Sequence, residues 1–481
     1  MAGNITEAGV TAAHHDAVAA GVDALERGGN AVDAAVATAF ALTVVDPANC
    51  GIGGHGGAMV ISLAGNTKVM QVNFNTKAPR EIDLRALRDA PKTWNFRYGP
   101  ATVTVPAVCA GLLAAQRKFG RLERKTVLAP AIELAEKGVT VSADLARSLQ
   151  WAERYHGGLT VDFKSVFFKD GRPLTQGAML RQPELARTLR LVAQQGEAAF
   201  SDGGLASQIA SSVCAGGGFL TETDIIEYQP HIASADECNY EDALVFGVAA
   251  LESGFEILSR ALVELNGRNL GQNRSASYID QLTCALTAGW IQRRSRTKSI
   301  ETEQGHTSHL CAVDTEGSVV SLTFTHGPLW FGAGVLVPET GIILNCGANL
   351  LRRVEVGSAT NVTALHNLCP VVIRDKNGTV YAFGSPGGSR IPAIVLQAVV
   401  DVIHYRLPLD ESICLPRVSV DPSGGIEVEL LLRQVAPDAY LIERHEYYGP
   451  ASGLTLTRDG RLLCALDYRF QPAFLRASPR L

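Results

Sequence analysis

What this chain of 481 residues lacks narrows its chemistry before anything present is read. Its ten cysteines (Cys50, Cys109, Cys214, Cys238, Cys284, Cys311, Cys346, Cys369, Cys414 and Cys464) are spread singly, with no pair at zinc or redox spacing. Several lie in apolar runs, where cysteine behaves as a small hydrophobe. Free thiols and a reducing, cytoplasmic setting are therefore expected. The opening MAGNITEAGVTAAHHDAV has no charged region followed by an apolar one, so no secretory signal is expected. The apolar stretch 34–45 is too short to span a bilayer, which argues against a membrane partner. A formal net charge of −5 gives no electrostatic reason to expect nucleic acid. The basic run Arg293, Arg294, Arg296 and Lys298 is short and interrupted, as on a solvated face.

Several catalytic signatures are missing too. No Gly-Lys-Ser/Thr follows the glycine-rich GIGGHGG of residues 51–57, and the loop feeds a strand, where nucleotide loops feed a helix. It reads first as a tight loop made possible by glycine's backbone freedom. No G-x-S-x-G elbow marks a serine hydrolase. His306, His309, His326 and His366 show no helical i, i+4 pairing with a carboxylate and no cysteine cluster, so neither metal nor cofactor is expected.

What remains is a mixed chain, 46 % hydrophobic and 19 % charged, able to bury a large core. Helical spacing covers 17–27 up to Gly28-Gly29, and Asn30 is a good N-cap for an almost wholly apolar second helix. Residues 107–119, 126–138, 180–195 and 393–405 also read as helices. Hairpins are expected at 310–313 with 319–325, and at 371–373 with 380–383, each around an Asp-x-x-Gly turn. The segment 272–305 is rich in Ser, Thr, Arg, Gln and Glu towards its end, which favours an exposed connector. Helices mixed with hairpins indicate an α+β layered fold.

At the end of that connector stands Thr307, at the start of a strand. A threonine made N-terminal by cleavage carries its own base, because the freed α-amino group, with a pKa of about 8, can take the hydroxyl proton. A plain strand threonine is the competing reading. Further along, GSPGGSR (384–390) precedes a helix, where the N–H groups of Gly387 and Gly388 suit a developing oxyanion. A locally capped glycine turn explains the same residues.

Together these segments resemble the γ-glutamyltranspeptidase family of N-terminal nucleophile hydrolases. GGNAVDAAVATAFALTVVDPANCGIGGHGG, VPAVCAGLLAAQRKFGRL, LAPAIELAEKGVTVS, HTSHLCAVDTEGSVVSLTFT and GSPGGSR occur in the family's order. The resemblance implies a four-layer αββα fold and a precursor that cleaves between His306 and Thr307. That would give a large subunit, 1–306, and a small subunit, 307–481, held together as a heterodimer. It further implies Thr307 as nucleophile, Thr325 as its hydroxyl support, Gly387 and Gly388 as oxyanion donors, and Asn345 in the segment that meets the substrate.

The departures concern the substrate. Asn75 stands where the family has its carboxylate-binding arginine, and cannot supply a bidentate cation. Gly347, Asn349 and Leu350 stand where the family has its acidic residues, His366-Asn367 where it has paired serines, and the asparagine after the supporting threonine is replaced near Gly327. Leu251–Leu262 stands where a proline-serine-glycine motif is usual. The chemistry is kept and the amino-acid clamp is lost. The expected function is hydrolysis or transfer on a small amide other than glutathione, with water or an amine as acceptor. Asn75, His326, Asn349, His366 and Asn367 are the candidate pocket residues. One alternative is a true γ-glutamyltransferase reading its substrate through Arg352 or Arg353; another is an uncleaved, non-catalytic binding homologue.

Overall fold

The computed structural model describes residues 7–83, 98–201, 203–248, 253–295, 306–351, 365–442, 449–467, 469 and 473–477. Two antiparallel sheets carry the architecture. The first has seven strands in the spatial order Ala473–Arg476, Gly9–Ala12, His306–Val313, Val319–Gly327, Gly56–Ser62, Val69–Asn73, His231–Ser234. The second has six, ordered Leu462–Leu466, Ser452–Leu456, Val380–Gly384, Val371–Asp375, Ala243–Gly247, Asp236–Tyr240. Both expected hairpins are present, and the one beginning at His306 occupies the centre of the first sheet.

Period-two alternation sends the faces of that hairpin to different cores. Leu310 and Ala312 join the cluster that includes the helices His15–Glu26, Ala31–Val45 and Val108–Phe119. Cys311 and Val313 join the cluster built with the second sheet and the helices Phe255–Leu265, Ala276–Arg294 and Ile391–Ile403. Strand Val380–Gly384 packs against Val319–Gly327, and Ser452–Leu456 against His306–Val313, so the sheets touch each other directly.

Every residue of helix Ala31–Val45 is buried, as its uniform hydrophobicity predicts. Its first turn is buried, so its terminal N–H groups need protein partners. The Asn30 side chain accepts from the N–H groups of Val32 (3.0 Å) and Asp33 (3.1 Å). Asp33 accepts in return from Asn30 N–H (3.1 Å) and also from Arg121 N–H (2.8 Å). Ala31 N–H donates to Asp314 Oδ2 at 3.0 Å. The turn of the central hairpin thus caps the buried helix, which ties the two halves of the chain together.

One expectation fails. The segment 272–305 is not simply an exposed connector, because Ala276–Arg294 is a 19-residue helix. Ser275 caps it through Tyr278 N–H, and Tyr278, Ile279, Leu282, Ala285, Leu286 and Trp290 are buried along it. Trp290 Nε1 donates to the carbonyl of Val420 at 3.0 Å. The polar bias of the segment hid an apolar stripe at helical spacing. Residues 296–305 lie outside the described residues.

Replacing Asp33 by alanine strands several buried N–H groups at once. Asp33→Ala is expected to cost about 2–3 kcal/mol, against about 1 kcal/mol for Asn30→Ala, both read from urea unfolding midpoints.

Candidate active site

The strand carrying Thr307 begins irregularly. His306 pairs with Gly327 and Ser308 with Phe324, so the register shifts at Thr307, where a bulge lets a strand residue leave the regular ladder. Thr325 lies opposite this bulge. Its hydroxyl donates to the carbonyl of His306 and accepts from Gly327 N–H at 2.9 Å. The carbonyl that precedes Thr307 is therefore polarised by a neighbouring strand. Thr307 itself is buried, with 4 % of its surface exposed.

His306 stacks on Trp330 with ring centroids 4.2 Å apart and planes tilted by 30°. Burial lowers its pKa to about 3, so the ring is neutral near pH 7. His309 is buried and neutral as well. Its Nδ1 shares a hydrogen bond with Thr323 Oγ1 (2.8 Å), its Nε2 lies 3.2 Å from Cys311 Sγ, and burial brings its pKa to about 3. Its ring packs on Gly384, where a Cβ would stand only 2.5 Å from it. That contact brings the start of GSPGGSR alongside the strand His306–Val313. Gly387 (φ 135°) and Gly388 (φ 60°) both take backbone conformations that other residues resist, and they lead into helix Ile391–Ile403. Behind them Arg390 makes a buried two-pronged ion pair with Glu427, at 2.9 and 3.0 Å.

The glycine loop serves packing. A Cβ on Gly54 would meet the carbonyl of Thr325 at 2.8 Å, so this loop is pressed against the supporting threonine. Asn345 holds the loop in place. Its Nδ2 donates to the carbonyls of Gly53 (3.2 Å) and Thr104 (3.0 Å), while its Oδ1 accepts from Thr104 N–H, Thr104 Oγ1 and Gly347 N–H. These bonds occupy both ends of the amide, making Asn345 a clamp between three segments.

Each of the other candidates is held by its own surroundings. Asn75 is buried and its Oδ1 accepts from Thr76 N–H at 3.0 Å. His326 packs on Gly51. Asn349 Nδ2 donates to the carbonyl of Cys346 at 3.1 Å. His366 Nδ1 accepts from Leu368 N–H at 3.1 Å, and its carbonyl accepts from Arg293 Nη2 at 2.8 Å. Asn367 lies beside that same guanidinium. Arg293 was read as part of a solvated run, yet it is 3 % exposed and braces this segment. Arg296, Lys298, Arg352 and Arg353 lie outside the described residues.

Three groups escaped the sequence reading. His55 is fully buried, with neither ring nitrogen bonded to a described residue, and its signal was being the sole side chain with a ring inside GIGGHGG. Asp46 accepts from Ser308 Oγ at 3.0 Å, although 262 residues separate the two. Trp330 was silent because nothing in a sequence says what an aromatic ring will stack on. Among the described residues, no group of three His, Cys, Asp or Glu converges as a metal site would.

Comparison with known proteins gives this geometry its context. The profile of the family described as gamma-glutamyltranspeptidase matches residues 17–297 and 272–434. A glutathione hydrolase proenzyme from Pseudomonas sp. (strain A14) is 30 % identical over 467 residues, covering 85 % of this chain and 80 % of its own. The acylase ACY 1 proenzyme of Pseudomonas sp. (strain SE83) is 29 % identical over 517 residues, covering 95 % and 91 %. Among solved structures, the cephalosporin acylase from Bacillus halodurans superposes with a TM-score of 0.85 at 23 % identity, over 98 % of this chain and 96 % of that one. Its likeness establishes the fold. With matches running along most of its length, this chain is an enzyme of the gamma-glutamyltranspeptidase family.

Proposed function

We propose that the chain is an autoprocessed N-terminal nucleophile hydrolase or acyltransferase acting on a small amide other than glutathione. The observation that carries this reading is the Thr325 hydroxyl donated to the His306 carbonyl at a bulge centred on Thr307. Thr307 Oγ1 attacks that carbonyl and the C–N bond to Thr307 breaks. The hydroxyl proton passes to the departing nitrogen, leaving an ester and a free α-amine. Water then hydrolyses the ester, giving the subunits 1–306 and 307–481 as a heterodimer. In the mature enzyme the α-amine serves as base and Thr307 as nucleophile. The Gly387 and Gly388 N–H groups hold the oxyanion, and water or an amine resolves the acyl-enzyme. Two touching sheets with helices in both outer cores support the αββα layering. The unpaired thiols fit a reducing, cytoplasmic setting.

The substrate reading rests on replaced charges. Asn75 is held by its own neighbours and carries no cation, while Gly347 leaves no room for an acidic side chain, since a Cβ there would stand 2.2 Å from Thr104 Oγ1. A substrate bearing an α-amino acid head would lose several charged partners, each worth roughly 1.5–3 kcal/mol. The names of the relatives fit either a hydrolase or an acylase, and these local contacts favour acylase-type substrates.

Purified protein is expected to run on a denaturing gel as two bands of roughly 33 and 19 kDa, in the length ratio 306:175 (481 − 306 = 175). Thr307→Ala should stay as one. Thr325→Ala should slow cleavage on the order of 100-fold, as for loss of one donor to a developing oxyanion. Wild-type protein that remains whole would sink the reading. Turnover of γ-glutamyl-p-nitroanilide should fall at least ~100-fold below that of a simple acyl-p-nitroanilide; robust γ-glutamyl turnover would show that the clamp has been rebuilt from other residues.

A further inference from the structure

The residue after the proposed nucleophile is tethered to a carboxyl 262 residues away in the sequence. Asp46 is the C-cap of the buried helix Ala31–Val45, where its N–H donates to Leu42 O at 2.8 Å. Its side chain accepts from Asn49 Nδ2 (2.8 Å) and from Ser308 Oγ (3.0 Å). Ser308 is the first residue of the nucleophile strand to regain regular pairing after the bulge. Tension or slack in the Asp46–Ser308 bond is therefore passed over one peptide unit to Thr307. A hydrogen bond to a carboxylate is about twice as strong as one to a neutral carboxyl, so the tether depends on charge.

We propose that Asp46 is the positioning residue of self-cleavage, holding the scissile bond through Ser308 only while its carboxyl is ionised. The inference rests on the self-cleavage proposed above and adds the group that regulates it. Asp46 does not touch the reacting atoms.

The surroundings make that charge change near neutrality. Desolvation pushes Asp46 up to about 7, against the two hydrogen bonds that favour the carboxylate, and Asp144 at the start of helix Ala143–Tyr155 adds repulsion. A carboxylate at a helix C-terminus also faces the negative end of the helix dipole. The other titratable groups facing this point hold one state around pH 7. Cys50, from the loop, is pushed far above its usual range and stays a thiol. His326, from the strand Val319–Gly327, is lowered to about 4 by burial and stays neutral. Because the Asp46 pKa is raised, the tether is at full strength well above about 7 and weakens as pH falls through that value.

The test uses full-length chain made by cell-free translation, shifted to a series of pH values and followed by denaturing gel. Wild-type cleavage is expected to rise about tenfold from pH 6 to 8 and then level off, following one ionisation near 7. Asp46→Asn and Ser308→Ala should cleave at least tenfold more slowly at pH 8, with the rise abolished. Ser308→Thr, which keeps the hydroxyl, should restore both rate and rise. Asp144→Asn lies outside the tether and should keep the plateau rate while moving the midpoint to lower pH. Asp46→Asn or Ser308→Ala cleaving at the wild-type rate with the wild-type rise would overturn the proposal. If Asp46→Asn fails to fold, an unmoved midpoint in Asp144→Asn overturns it equally. Wild-type chain that stays whole at every pH refutes self-cleavage itself, and this inference with it.

Discussion

The hydrogen bond from the Thr325 hydroxyl to the His306 carbonyl is the contact around which the site is organised. It crosses from one strand of the central hairpin to the other, at the point where their register slips. An unbroken ladder would satisfy the His306 carbonyl with a backbone N–H. The bulge gives it a side-chain hydroxyl instead, and places Thr307 beside a polarised bond. GIGGHGG must then pass close under Thr325, which requires a glycine at 54, and Asn345 must pin that loop with both ends of its amide.

Stability and reactivity meet at the same hairpin. At its turn Asp314 caps the buried helix Ala31–Val45, and at its open end Ser308 binds Asp46 beyond the last turn of that helix. Both ends of one helix are thus fastened to both ends of one hairpin, across nearly three hundred residues of sequence. Desolvated carboxylates need hydrogen bonds to offset their loss of water: buried Asp314 accepts from the N–H groups of Ala31, Glu316 and Ser318, and half-buried Asp46 from Asn49 and Ser308. The arrangement keeps the strand still where a one-residue slip would misplace Thr307.

Much of the fold was legible. The helix after Asn30 and both hairpins declare themselves through capping residues, Asp-x-x-Gly turns and apolar spacing, all of which act over a few residues. The helix Ala276–Arg294 was obscured because polar residues outnumber the stripe that Tyr278, Leu282 and Trp290 bury. For the site, Thr307, Gly387 and Gly388 could be singled out from the sequence because each carries a property that needs no partner: a hydroxyl at the start of a strand, or glycines before a helix; Thr325, inside a strand, was named only through the family resemblance. Asn345, read as facing substrate, proved to be a clamp whose amide is fully engaged with Gly53, Thr104 and Gly347.

The sequence by itself determined the local elements, the family and the side chains available for chemistry, since these follow from short-range spacing and residue type. Only the tertiary structure decided that Arg293 is a buried brace, that His306 is stacked on Trp330, and that Asp46 reaches Ser308. The physical reason is that burial and hydrogen-bond partnership depend on what the rest of the chain brings alongside. A carboxyl at residue 46 has its proton affinity raised by the water that this packing removes, against a hydrogen bond from a strand 262 residues away that favours the carboxylate.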